Sequence, residues 1–267
     1  MTGQPAPTTL HAVKTMTMLL GLISVLGNTA PARAQSDPAA KPTQLMVVTT
    51  PGWDAVDGQL QRYERNNIHQ PWHPVGHAIP VVVGKHGMGW GIGVTPNTPA
   101  TADPIKQEGD GRAPAGIFEL GTAFGYAPQL LPGANLHYTP LTATTECVDD
   151  PASTHYNRLV ERDLSADWNS SEHMRSAGIA YQWGIVVNHN TNPPKPGDGS
   201  CIFLHIWSGV GHGTAGCTAM PQPDIEALLT WLDPERHPLL VQLPEQQYKS
   251  LIERWKLPTA PNPQTAH

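Results

Sequence analysis

The sequence predicts a mainly β fold with few helices. Two observations carry this. The 267-residue chain holds 28 prolines and 25 glycines, too many helix breakers for a bundle, while 39% hydrophobic residues is too apolar for a disordered chain. The apolar residues also fall in short runs rich in β-branched side chains and bounded by Gly, Pro, Asn and Asp, and only one stretch has a clear helical period.

In chain order, LMVVTT (45–50) reads as a strand and GQLQRYER (58–65) as its hairpin partner. IPVVVGKHG (79–87) is a strong strand whose unbroken Val81–Val83 run implies cover on both faces, and GWGIGV (89–94) continues it. Residues 95–116 read as a long loop, and GIFEL (116–120) as a further strand. Turns fall at Leu131-Pro-Gly and Asp149-Asp-Pro; HYNRLVERDL and SEHMRSA read as short helices or irregular segments. YQWGIVVNHN (181–190) and CIFLHIW (201–207) are the clearest strands. PQPDIEALLTWLDP (221–234) is the one clear helix: Ile225, Leu228, Leu229 and Leu232 form an apolar stripe, Pro223 and Asp224 suit its first turn, and Asp233-Pro234 stops it. PLLVQLP (238–244) is a strand, YKSLIERWK a short helix, and the Pro/Ala-rich tail is disordered.

The net charge of -6 gives no basic face for nucleic acid. Residues 1–34 read as a signal peptide: an apolar run, MTMLLGLISVLG, too short to span a bilayer, precedes an Ala32-Arg33-Ala34 cleavage pattern. Residues 35–43 are then a linker, 44–250 the main domain, and 251–267 a short helix with the disordered tail. An exported, periplasmic, monomeric protein with no membrane contact after cleavage is expected. Three cysteines, Cys147, Cys201 and Cys217, imply one bridge and one free thiol, and counting leaves the pair open.

His205 and Cys217 are the candidate chemistry. Strand alternation puts Ile202, Leu204 and Ile206 on one face of CIFLHIW, with Phe203, His205 and Trp207 on the other. The loop SGVGHGTAG then returns the thiol beside the imidazole, which can take its proton and leave a nucleophilic thiolate. Gly216 and its small neighbours, Ala215 and Thr214, leave room for a substrate carbonyl and offer backbone donors for an oxyanion. His212 is a rival base, less rigid in its Gly-flanked loop. His189 and Asn190 end a strong strand and are candidate cleft residues, the alternative being that Asn190 begins the turn into TNPPKPGDGS; Trp207 shares the face of His205 and is a candidate cleft wall or a core residue.

FLHIWSGVGHGTAGCTAMPQPDIEALLTWLDP resembles the signature of the L,D-transpeptidase catalytic domain (YkuD-type) family, in which a histidine precedes a Ser/Thr-x-Gly-Cys segment. Thr214, Ala215, Gly216 and Cys217 match that segment, and GDGRAPAGIFEL (109–120) resembles the family's upstream Gly-rich turn and strand. TECVDDPASTHYN and GIVVNHN resemble a subgroup, and the resemblance spans residues 75–245. It implies a β-sandwich or mixed-sheet fold and acyl transfer on peptidoglycan stem peptides without metal or organic cofactor. It casts Cys217 as nucleophile, His205 as base and a backbone carbonyl as the group that orients the histidine. A nucleophile must stay free, which leaves Cys147 and Cys201 to pair; the rival bridge is Cys201–Cys217. Two departures stand: Ala215 replaces the usual histidine before Gly-Cys, and Thr218-Ala219-Met220 replaces a stretch that often carries arginine, a role for which Arg112 is the candidate.

The same acyl-enzyme resolved by water would give an L,D-carboxypeptidase or a hydrolase that releases wall proteins. A degenerate site would leave a non-catalytic wall-binding protein. A zinc site has little support. His69, His73 and His77 lie four apart, but Pro71 and Pro74 exclude one helix, and His189, His205 and His212 with Cys217 follow no metal spacing.

Overall fold

The computed structural model describes residues 1–4, 42–95 and 99–259. The signal-peptide segment beyond residue 4, most of the linker and the tail beyond 259 lie outside the described residues. The chain divides into two units, Met1–Pro38 and Ala39–His267, and the second carries every element below.

Thirteen strands and two α-helices are described: β1 (Gln44–Thr50), β2 (Asp57–Glu64), β3 (His73–Val82), β4 (Met88–Trp90), β5 (Ala113–Gly125), β6 (Tyr138–Pro140), β7 (Thr145–Val148), β8 (Leu159–Glu161), β9 (Ser171–His173), β10 (Trp183–Val187), β11 (Phe203–Ile206), β12 (Thr218–Met220), α1 (Gln222–Trp231), β13 (Leu239–Pro244) and α2 (Glu245–Trp255). The mainly β, mixed-sheet expectation holds. The main sheet runs β10-β11-β12-β3-β2-β1-β13-β5-β4. Because β10 also pairs with the far half of β5, eight of these strands close into a circuit. The pairs β1·β13 and β11·β12 are parallel, and β1·β2 and β10·β11 are antiparallel.

The hairpin of β1 and β2 forms as read, and Val81, Val82 and Val83 are all buried. β3 starts earlier than the apolar run, at His73, because β2 is long enough to pair with it to that point. β5 runs through both ends of GIFEL, from Ala113 to Gly125, because β13 pairs its first half and β10 its second. HYNRLVERDL and SEHMRSA are corrected. Their ordered parts are the short strands β8 and β9, which flank β7 in a separate three-stranded sheet, SEHMRSA ending in a single 3-10 turn. No local period marks such short strands, and pairing with β7 decides them.

Alternation along β11 sorts its side chains between two cores. Leu204 and Ile206, with the preceding Ile202, enter the main core beside Ile225, Leu228 and Leu229 of α1. Phe203 enters a smaller cluster with Phe124, Leu141, Cys147, Met174, Tyr181 and Cys217. The second α-helix begins at Glu245 and packs on β13 and β1. Cys147 and Cys201 are disulfide-bonded with Cα atoms 5.9 Å apart, which ties β7 to the approach to β11 and leaves Cys217 free. Among the described residues no helix is long and apolar enough to cross a membrane.

Candidate active site

His205 lies on β11, and Cys217 directly precedes β12. The parallel register pairs Leu204 with Thr218 and His205 with Ala219, so Cys217 falls beside Phe203 on the face that carries His205. The Phe203 N–H donates to Cys217 Sγ at 3.3 Å, and the thiol faces the Cys201 carbonyl at 3.6 Å. His205 Nδ1 is 2.8 Å from the Ile206 carbonyl. A carbonyl only accepts, so Nδ1 carries the proton and Nε2 is the basic nitrogen. Burial holds the His205 pKa below the ordinary imidazole value, against the Ile206 hydrogen bond, so the ring is neutral at pH 7.

Both residues line one cavity of about 500 Å³, with Trp207, His212, Thr214, Ala215 and Gly216. The thiol is pushed well above its ordinary pKa, chiefly by burial and next by the Glu172 carboxylate. The Phe203 N–H, Lys106 and the Tyr181 hydroxyl act in the opposite sense. The resting thiol is therefore protonated at neutral pH.

The loop before Cys217 is braced from within. Thr214 Oγ1 donates to the Cys217 carbonyl at 2.6 Å and accepts from the Gly216 N–H at 3.1 Å. From outside, the Lys85 N–H donates to the Thr214 carbonyl and the Thr214 N–H to the Val83 carbonyl. Gly216 has a packing reason: a Cβ there would lie 3.1 Å from the Arg112 carbonyl oxygen and 3.3 Å from Ile202 Cδ1. The Arg112 backbone thus leaves little room for a side chain at position 216.

Gly216 lines the cavity with Ala215 and Thr214, and its N–H is directed to Thr214 Oγ1. Three sequence expectations are corrected. The Arg112 guanidinium does not reach the cavity. It donates to the Met88 carbonyl at 2.9 Å and to Asp54 at 2.7 Å, drawn there by a carboxylate on the neighbouring loop. His189 and Asn190 are buried off the cavity as scaffold. His189 accepts from the Ile92 N–H and donates to the Asp198 carbonyl. The Asn190 amide donates to the Lys195 and Gly199 carbonyls.

Sequence reasoning missed Lys106, Tyr181, Glu172 and Asp149, all of which line the cavity. Lys106 is buried and paired with Asp110 at 2.6 Å, a four-residue spacing visible in KQEGD. Tyr181 and Glu172 carry no local signal; the fold brings them to the thiol. Among the described residues, no group of three His, Cys, Asp or Glu side chains is arranged to hold a metal ion.

A model of the L,D-transpeptidase catalytic domain family matches residues 57–242, which takes in β2 through the first four residues of β13 and every residue lining the cavity. The chain belongs to this family. No curated protein and no solved structure matches it. Family membership makes this an L,D-transpeptidase-type domain directed at peptidoglycan. Within that domain, Cys217, directly before β12, and His205, on the adjacent β11, line a single cavity.

Proposed function

We propose that this protein is an exported peptidoglycan L,D-transpeptidase that works through a Cys217 acyl-enzyme. The observation that carries the reading is the free thiol of Cys217 sharing one sheet face and one cavity with His205, whose basic nitrogen is fixed by the Ile206 carbonyl.

The chemistry follows from the two protonation states. A buried neutral thiol attacks poorly, so its proton leaves to His205 Nε2 as sulfur approaches the carbonyl of the third stem residue. The tetrahedral intermediate collapses with the terminal D-alanine leaving on its amine, which takes the proton from the imidazolium. The product is a thioester on Cys217. An acceptor stem amine then attacks the thioester, passes its proton to His205 and forms an amide between two third-position residues, and the sulfur returns to its thiol. Glu108, Asp149 and Glu172 outnumber Lys106 in the lining and draw in a protonated acceptor amine, which gives up one proton to solvent before it attacks; this supports transfer over the carboxypeptidase or hydrolase outcome.

Incubation with a carbapenem followed by intact-mass measurement tests the acyl-enzyme. The protein should gain one covalent adduct and Cys217→Ala none. Tetrapeptide stems should then yield D-alanine and crosslinked dimer. D-alanine without dimer would establish the carboxypeptidase, and no adduct with retained binding to cell walls would establish a non-catalytic wall-binding protein.

A further inference from the structure

Tyr181 shares a small buried cluster with Cys217 and lines the same cavity. Tyr181 ends a 3-10 turn (Gly178–Tyr181) just before β10 and is 4% exposed, so its position is set by packing. Its ring meets three others edge to face: His205 at 5.4 Å and 75°, Phe203 at 5.5 Å and 87°, and Phe124 at 5.6 Å and 80°. Its hydroxyl donates to Glu172 Oε1 at 2.6 Å. Glu172 lies on β9 opposite Cys147, one end of the disulfide whose other end, Cys201, presents its carbonyl to the thiol. One phenol thus touches the candidate base with its ring and a carboxylate with its hydroxyl, in the same cluster and cavity lining as the candidate nucleophile.

We propose that Tyr181 is a further functional residue of this site: its ring fixes the plane of His205, its hydroxyl is the donor that stabilises negative charge on Cys217 sulfur, and Glu172 regulates it by competing for that hydroxyl proton. The proposal rests on Cys217 and His205 being the reactive pair. A phenol has one proton to give. In the resting structure Glu172 accepts that proton, and its charge also opposes a thiolate nearby. A thiolate forming on Cys217 draws the hydroxyl from Glu172 to the sulfur. Burial raises the Glu172 pKa, the Tyr181 hydrogen bond opposes that rise and Asp149 adds to it. Burial also pushes the phenol itself far above its ordinary pKa, so Tyr181 acts as a donor and never as a phenolate base. The other charged and titratable groups facing these atoms are Lys106, Asp149, His205 and Tyr126.

The test needs no stem peptide, so it stands or fails apart from the transpeptidase reading. The rate of Cys217 alkylation by iodoacetamide is measured against pH, with the disulfide intact, in the unaltered protein, Tyr181→Phe and Glu172→Gln. Loss of the donor should move the midpoint up by about one pH unit in Tyr181→Phe, and loss of the competing charge should move it down in Glu172→Gln. A merely structural role would move both the same way. With stem peptide, Tyr181→Phe should lower kcat about ten-fold or more and leave KM within about two-fold. Equal midpoints in all three proteins, or shifts of one sign, overturn the proposal. If Tyr181→Phe does not fold by circular dichroism, Glu172→Gln decides alone, and anything but a downward shift overturns it.

Discussion

Thr214 and Cys217 are joined by a hydrogen bond that sets the shape of the thiol loop: Thr214 Oγ1 donates to the Cys217 carbonyl at 2.6 Å while accepting the Gly216 N–H at 3.1 Å. One hydroxyl satisfies two backbone groups that would otherwise be left unpaired against the sheet. Thr214→Val keeps the shape and removes both bonds, so it should cost about 1–3 kcal/mol in a urea unfolding titration. Carbapenem acylation should slow with it, and Thr214→Ser should restore most of both. Unchanged stability in Thr214→Val would show that water replaces the hydroxyl.

The glycines of HGTAG differ in what surrounds them, and alanine should grade them. A Cβ at Gly213 would sit 2.5 Å from Lys85 Cα, a backbone atom that cannot move without shifting the strand connection. At Gly216 the nearest atoms are 3.1 and 3.3 Å away, within reach of a small adjustment. Gly213→Ala should therefore lower Tm more than Gly216→Ala. Gly216→Ala should act mainly on the rate of acylation, through the position of Cys217. A reversed order by calorimetry would contradict this account of the loop.

The placement of Cys217 and His205 at one cavity was legible because it is local to one strand and one loop. Alternation in CIFLHIW correctly placed His205 opposite Leu204 and Ile206, and the small-residue run marked where the chain had to pass closely. The rest of the cavity was not legible. Tyr181, Glu172 and Lys106 reach Cys217 from separate segments, and no spacing relates them. Arg112, His189 and Asn190 were misread for a shared reason. Polar residues at strand ends can serve a site or a scaffold, and only their partners tell which: Asp54 for Arg112, the Ile92 and Asp198 backbone for His189. The two short strands β8 and β9 were equally hidden, since three residues have no readable period.

The Cys147–Cys201 bond closes a separation of 54 residues and joins the three-stranded sheet to the edge of the cavity. By loop entropy, a closure of this length contributes on the order of 4 kcal/mol at 25 °C. Cys147→Ser with Cys201→Ser should lower Tm substantially in calorimetry. Because Cys201 also presents its carbonyl to the thiol, the double variant should alkylate at Cys217 with a changed rate even where it stays folded. An unchanged Tm would mean that packing of Phe203, Tyr181 and Met174 alone holds the subdomain in place.

Stability should fall on mild acidification, and the buried imidazoles set the window. Burial lowers the His189 pKa to about 4, against hydrogen bonds from its backbone partners, and depresses His205 in the same direction. In the unfolded chain both take up a proton near pH 6.5. Between about pH 6.5 and 4 the unfolded state therefore binds more protons than the folded state, and the free energy of unfolding decreases as pH falls. For His189 alone the full loss is on the order of 3 kcal/mol. Glu172, raised by burial, opposes the fall, and the lowered carboxylates act further down. Burial raises Glu146, but hydrogen bonds from Arg162, Ser171 and Trp168 outweigh it and hold the group at about 2, so its contribution is lost only as pH falls below the ordinary carboxylate range. His189→Gln keeps an acceptor for the Ile92 N–H and a donor for the Asp198 carbonyl without a titrating ring. Urea unfolding between pH 7 and 5 should show a shallower fall in this variant than in the unaltered protein. An identical slope in the two would assign the acid sensitivity to other groups.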